Sequence, residues 1–191
     1  MTLVLDWQKK LGYSRDPFDP NIPKPASKYL VGVKALQERV NLFLIKDERF
    51  GTIAGDKGRG KTMFLTWIDE ELAPQKTHLQ HYIDARQSKR EDIVNLLLAS
   101  RLTFMEKISR SPLKAPNKEE LLLKRLSTEH KNVLIIDNAG ELAKAELDFI
   151  AHVITTTKTH VIISDTKEQL ARLNIPEYLI DKLKIHLPEY T

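Results

Sequence analysis

Short, almost wholly apolar runs alternate along the chain with longer stretches in which apolar residues recur every three or four positions. In VKALQERVNLFLIK (33–46), Leu36, Val40, Leu44 and Ile45 fall at helical spacing. FGTIA (50–54) reads as a strand, and TMFLTWIDEELA (62–73) as a helix ending before Pro74. THLQHYID (77–84) predicts a second strand and KREDIVNLLLASRLTFMEKI (89–108) one long helix. Asn117 is placed to cap KEELLLKRLS (118–127), whose first turn carries Glu119 and Glu120 against the helix dipole. NVLIID (132–137) is continuously apolar, as a strand covered on both faces should be. ELAKAELDFIAHVITT (141–156) places Leu147, Ile150, Ala151 and Ile154 on one stripe, and HVIISD (160–165) is another buried strand. After a short helical stretch and Pro176, LKIHL (183–187) alternates Leu183, Ile185 and Leu187 with Lys184 and His186. Repeated strand–helix alternation predicts an α/β fold, a parallel sheet with helices on both faces.

Residues 11–28 hold four of the nine prolines and can join neither a helix nor a central strand. They read as an extended arm that Tyr13 and Phe18 could pin down, or as a linker. The expected organisation is therefore an arm over 1–28 and a single core domain over 29–191.

Composition narrows the class. A chain of 191 residues, 41% apolar and 29% charged in both signs, suits one soluble globular domain. The absence of Cys excludes disulfides and thiolate metal sites and fits a reducing, cytoplasmic setting. The opening MTLVLDWQKK has Asp6 inside its apolar patch and no basic leader, so no signal peptide is expected. No apolar run approaches the ~20 residues of a membrane span. The net charge of +4 is only a weak pointer to an anionic partner. The six histidines show no zinc spacing; His78 and His81, three apart on a strand, point to opposite faces.

GDKGRGKT (55–62) spends three of only seven glycines in eight residues. It matches G-x-x-x-x-G-K-[ST] with Gly55, Gly60, Lys61 and Thr62, between a strand and a helix as the pattern requires. Glycines let the main chain wrap phosphate oxygens with its N–H groups pointing inward, and the following helix adds the positive end of its dipole. Gly55, Asp56, Lys57, Gly58, Arg59, Gly60, Lys61, Thr62 and Met63 are thus candidates to cradle ATP, with Lys61 on the outer phosphates and the Thr62 hydroxyl on Mg²⁺.

Asp137, ending NVLIID, has the placement of a Walker-B carboxylate that holds Mg²⁺. Asn138 follows it. An amide can orient water but cannot accept its proton, so hydrolysis is expected to be slow, partner-dependent, or served by Glu141. Ser164 and Asp165, at the end of HVIISD, either sense the terminal phosphate between the two motifs or cap the next helix.

With both motifs in view, the chain resembles a P-loop ATPase of the AAA+ type. YLVGVKALQERV is similar to the segment ahead of that family's core, where residues around Gly32 lie near the adenine. LGYSRDPFDP and IIDNAGELAKAELDFIAHV resemble ATPases related to the secretion-system A protein and to transposon target-selection regulators. Those proteins usually read Asp-Glu-Ala where this chain has Asp137-Asn138-Ala139. The resemblance implies a five-stranded parallel sheet of order 5-1-4-3-2, ATP with Mg²⁺, and oligomers with nucleotide between subunits. It also implies a helical lid after the last strand; the sequence stops at Thr191, so either the lid is absent or the chain has been cut. Arg172 lies nearest the family's arginine finger, though a solvated arginine is the plainer reading.

The leading functional expectation is an ATP-hydrolysing switch acting on DNA, as a homo-oligomer or beside a protein partner. Lys107, Arg110, Lys114, Lys118, Lys124, Arg125 and Lys131, set against four glutamates, form either a phosphate-binding patch or a solvated face. The alternatives are a nucleotide-dependent scaffold with little hydrolysis, and a small-molecule kinase hinted at by Asp84 with Arg86. A kinase of this type would place the strand ending in Asp137 beside the loop strand.

Overall fold

The computed structural model describes residues 30, 32–46, 48–74, 78–100, 102–110, 112–127, 131–175, 179 and 183–187. The expected arm over 1–28 lies outside them.

Five strands form one parallel sheet: β1 (Phe50–Ala54), β2 (His78–Asp84), β3 (Lys131–Asp137), β4 (Thr159–Asp165) and β5 (Leu183–His186). Their order is β2-β3-β4-β1-β5, the 5-1-4-3-2 arrangement read from the other edge. β4 therefore separates the loop strand β1 from β3, contrary to the strand neighbourhood expected of a kinase.

The apolar runs explain the layering. Successive residues of a strand point to opposite faces, so a strand apolar throughout must be covered twice. Leu134 and Ile136 of β3 enter a core completed by α3 (Arg90–Ala99), α5 (Lys118–Leu126) and α6 (Lys144–Thr156). Val133 and Ile135 enter the opposite core with α1 (Lys34–Ile45) and α2 (Lys61–Leu72). β5, at the edge, buries only alternate residues, Leu183 and Ile185. Gly51 is required where β1 meets β5, because a Cβ there would lie 2.6 Å from the Leu183 Cβ.

Three details differ from the sequence reading. The long helix over 89–108 is two helices, α3 and α4 (Phe104–Ser109). Thr103 starts α4 with a reciprocal capping box, its hydroxyl accepting from Glu106 N while the Glu106 carboxylate accepts from Thr103 N. In α1, Ile45 is 74% exposed, and Phe43 is buried in its place, edge-on to His160. Asn117 stands at the start of α5, but its side chain makes no capping bond. The remaining helix, α7 (Lys167–Arg172), is capped by Thr166, whose hydroxyl accepts from Gln169 N. Among the described residues no helix is long and apolar enough to cross a membrane.

Candidate functional site

Parallel strands all end at the same edge, so the C-terminal ends of β1, β3 and β4 meet. The loop 55–60 leaves β1 there, tied to its neighbour by Gly55 N donating to Asp165 O at 3.3 Å. Gly58 and Gly60 have φ of +85° and +79°, the left-handed region in which a Cβ is strained. An ideal Cβ at either would meet nothing within 4 Å, so open space lies beside the backbone at both. Gly60 sits at the N-cap of α2 with no side-chain cap, leaving the first-turn amides without a side-chain acceptor from that residue. The Lys61 ammonium folds over the loop, donating to the carbonyls of Gly55 (2.7 Å) and Asp56 (3.0 Å). Asp56, Lys57, Gly58 and Gly60 are exposed, Arg59 is half-buried and 3.9 Å from Asp56 across an ion pair, and Met63 packs against the α1–α2 core.

The second half of the site is a carboxylate. Asp137 is 2% exposed and accepts four hydrogen bonds. Thr62 Oγ1 donates to its Oδ2 at 2.6 Å and Tyr82 OH to the same oxygen at 3.1 Å. Ser164 Oγ and Asn138 N donate to Oδ1 at 2.6 and 3.0 Å. Burial, reinforced by the neighbouring Asp137 charge, pushes the Tyr82 phenol well above the usual tyrosine range, so it remains a donor. Ser164 is fully buried beneath the carboxylate. Asp165 holds two backbone amides, accepting from Gly140 N and Thr166 N at 2.7 Å each.

Asn138 adopts a left-handed conformation, φ 55°, and opens the turn Ala139–Glu141. Its side-chain Nδ2 donates to Asp84 Oδ1 at 2.9 Å. Asp84 is also gripped by Arg86 through Nε and Nη2, the latter at 2.6 Å; these bonds hold its carboxyl below the usual carboxylate range. Glu141 is exposed on the turn, Arg172 is exposed at the end of α7, and Gly32 sits at an exposed left-handed position ahead of α1.

The sequence reading missed Tyr82, the partnership of Asp84 with Asn138, and Gly140. Tyr82 and the Asp84–Asn138 pair depend on cross-strand register: Asp84 lies opposite Asp137, and Tyr82 opposite Ile135. Gly140 is constrained because a Cβ there would come 2.8 Å from both Asp165 Oδ2 and Gln169 Cβ.

The donor set suits magnesium with a nucleotide. A hydroxyl and a carboxylate, both hard oxygens, converge where α2 begins beside the glycine cradle. No group of three or more His, Cys, Asp or Glu able to hold a metal occurs among the described residues. Magnesium typically takes one or two protein oxygens and completes its shell with phosphates and water, so such a cluster is not required.

A family model described as "AAA domain" matches residues 45–173. No curated protein matches the sequence. Among solved structures, the fold is similar to the Aeropyrum pernix Orc1 protein in complex with DNA (TM-score 0.67, 15% identity), covering 89% of this chain and 48% of that one. Cdc6p from Pyrobaculum aerophilum is similar too (TM-score 0.64, 19% identity), with 91% and 48% covered. So is the replication initiator DnaA bound to AMPPCP and single-stranded DNA (TM-score 0.53, 14% identity), with 92% and 52% covered. The chain thus spans about half the length of these proteins.

Proposed function

The chain belongs to the AAA domain family, and from that premise we propose that it binds Mg-ATP at the 55–62 loop and acts as a nucleotide-driven switch. The observation that carries this reading is the 2.6 Å hydrogen bond between Thr62, at the start of α2, and the buried Asp137. It brings together, from positions 75 residues apart, the two halves of the proposed phosphate-and-magnesium site. In this reading the loop amides and the Lys61 ammonium bind the outer phosphates. Thr62 and Asp137 hold Mg²⁺, which when bound offsets the charge on those phosphates. Tyr82 and Ser164 orient the Asp137 carboxylate, and Asp165 fixes the turn after Asn138.

Asn138 stands where the chemistry would call for a carboxylate, and its amide can align a water without taking its proton. Slow or partner-stimulated hydrolysis follows. The same residue favours a second reading, a nucleotide-gated scaffold that recruits a protein partner and hardly turns over.

DNA is the proposed target. Two of the similar solved proteins are described in complex with DNA. Within this chain, Arg125 is paired with Glu106 and Lys118 with Glu91, whereas Lys107, Arg110 and Lys114 are exposed on and just after α4. A patch of this kind would meet backbone phosphates and lose affinity steeply with salt.

The test is ATP hydrolysis by the purified chain, alone and with duplex DNA, beside Lys61→Ala and Asn138→Glu. DNA-stimulated turnover that Lys61→Ala abolishes supports the switch. Binding without turnover in every mixture, with activity appearing in Asn138→Glu, supports the scaffold. Turnover that survives Lys61→Ala contradicts both.

A further inference from the structure

We infer that the free edge of β2, with the groove between it and α3, is a docking site for an extended peptide segment carrying a basic residue and, two positions on, an apolar one. Two strands, β3 and β4, separate this edge from β1 and the loop 55–62. The surface would serve a protein partner whether or not nucleotide is bound.

An uncovered edge strand offers a row of unpaired main-chain donors and acceptors, which proteins usually blunt. The β5 edge is guarded. That strand is four residues long, carries the exposed Lys184, and gives the Lys184 carbonyl to the Arg39 guanidinium of α1. β2 has none of these devices. It is seven residues long, HLQHYID, without Lys or Pro, and among the described strands it pairs only with β3.

The main-chain groups of successive residues in a strand point to alternate sides. Ala85 N donates to Asp137 O at 3.0 Å, so the N–H and C=O of Tyr82 and Gln80 face away from β3. Among the described residues nothing bonds those groups. The outward carbonyl of Asp84, by contrast, is taken by Gln87 N at 3.0 Å, which closes the strand.

Beside this edge lies a groove of about 440 Å³ whose lining includes Tyr82, Ile83, Asp84, Asp92 and Leu96 and holds two carboxylates and no cation. Asp84 is already matched by Arg86 at 2.6 Å, which leaves Asp92, exposed in the first turn of α3, as the charge facing an incoming chain. Leu96, one turn further along α3, is 42% exposed. Four helical residues rise about 6 Å, close to the roughly 7 Å between alternate residues of a strand. A strand laid on β2 therefore sets a Lys or Arg over Asp92 and, two residues away, an apolar side chain over Leu96. The crossover helix α3 returns against the direction of β2, so Asp92 lies nearer the strand's end and Leu96 nearer its start. A segment reading basic-x-apolar runs antiparallel to β2, the more stable pairing. A second copy of this chain fits less well, because it would bring its own Asp92 to the same face.

The test uses the full-length protein and phage-displayed random peptides of seven residues, the length of β2. Selection on wild type is expected to enrich a basic residue followed two positions later by an apolar one. Selection on Asp92→Lys should enrich an acidic residue in place of the basic one, an inversion that an unfolded variant could not give. The peptide enriched on wild type is then synthesised and titrated by fluorescence anisotropy. Its affinity should fall about tenfold in Asp92→Lys and in Leu96→Glu, and as much when two successive peptide residues are N-methylated, since one of them donates to β2. Amide exchange in ¹⁵N-labelled protein should find the Gln80 and Tyr82 N–H groups unprotected until the peptide is added. No enrichment, an affinity that ignores both variants, or Gln80 and Tyr82 amides left unprotected by the peptide would overturn the proposal. So would amides already protected in the free protein, whether at dilution, by the arm over 1–28, or only at high concentration, by a second copy.

Discussion

Thr62 Oγ1 lies 2.6 Å from Asp137 Oδ2, an exposed residue at the start of a helix bonded to a carboxylate that is 2% exposed. This contact joins the first turn of α2, next to the glycine loop, to the C-terminal end of β3. Removing the hydroxyl with Thr62→Ala takes away a proposed magnesium ligand while Tyr82, Ser164 and Asn138 N continue to satisfy Asp137. Mg-ATP affinity is expected to fall about tenfold to a hundredfold, equivalent to one or two charge-assisted contacts, with little change in folding stability. Calorimetric titration beside a denaturant melt separates the two effects.

Ser164 presents the opposite balance. It is fully buried, and its hydroxyl donates to Asp137 Oδ1 at 2.6 Å. Ser164→Ala leaves a buried carboxylate short of one donor and is expected to cost about 1–3 kcal/mol of stability. The urea midpoint should drop with an unchanged slope; a midpoint equal to wild type would mean that the bond contributes nothing.

Two glycine substitutions should destabilise for different reasons. In Gly51→Ala the new Cβ meets the Leu183 Cβ at 2.6 Å, so β1 and β5 must separate, at about 1–3 kcal/mol. Gly60→Ala meets nothing within 4 Å but is held at φ +79°, which costs about 1–2 kcal/mol in strain alone. Crystal structures of the pair should show a displaced β5 only for Gly51→Ala.

Stability should also respond to pH at both extremes. Arg125, bonded to the Glu106 carboxylate, lowers its pKa from 4.5 to about 2. A depressed folded pKa contributes stability that is complete above the unfolded value and is lost as pH falls from about 4.5 towards about 2. Arg125→Gln should flatten that acid limb. Tyr82 is shifted upward, so its contribution is complete below pH 10.0 and declines as pH rises beyond it. Tyr82→Phe should remove part of the alkaline limb, measured by thermal melts across pH.

Much of this arrangement was legible in the sequence because it is local. The glycine loop, the apolar runs ending in Asp137 and Asp165, and the alternation in β5 each follow from neighbouring residues. The break between α3 and α4 was also written locally, as Thr103 followed three residues later by Glu106, but an uninterrupted run of helix-forming residues masked it. Tyr82 over Asp137 and Asp84 against Asn138 could not be read in this way. They depend on how β2 registers with β3 across 53 to 55 residues of chain, as Asp84 opposite Asp137 and the Tyr82–Asp137 bond show. Nothing in either segment alone specifies that register. Ile45 was misplaced because helical spacing identifies a stripe but not its edge, and the last residue of α1 has turned past the core.

The loop and Asp137 are proposed to form one Mg-nucleotide site. Its most direct test is titration calorimetry of ATP into the full chain, with Mg²⁺ and with chelator, for wild type and Lys61→Ala. The prediction is one site per chain that weakens without Mg²⁺ and is lost or weakened about a hundredfold in Lys61→Ala. Equal affinity in wild type and Lys61→Ala, or no binding by wild type with Mg²⁺ present, would contradict it.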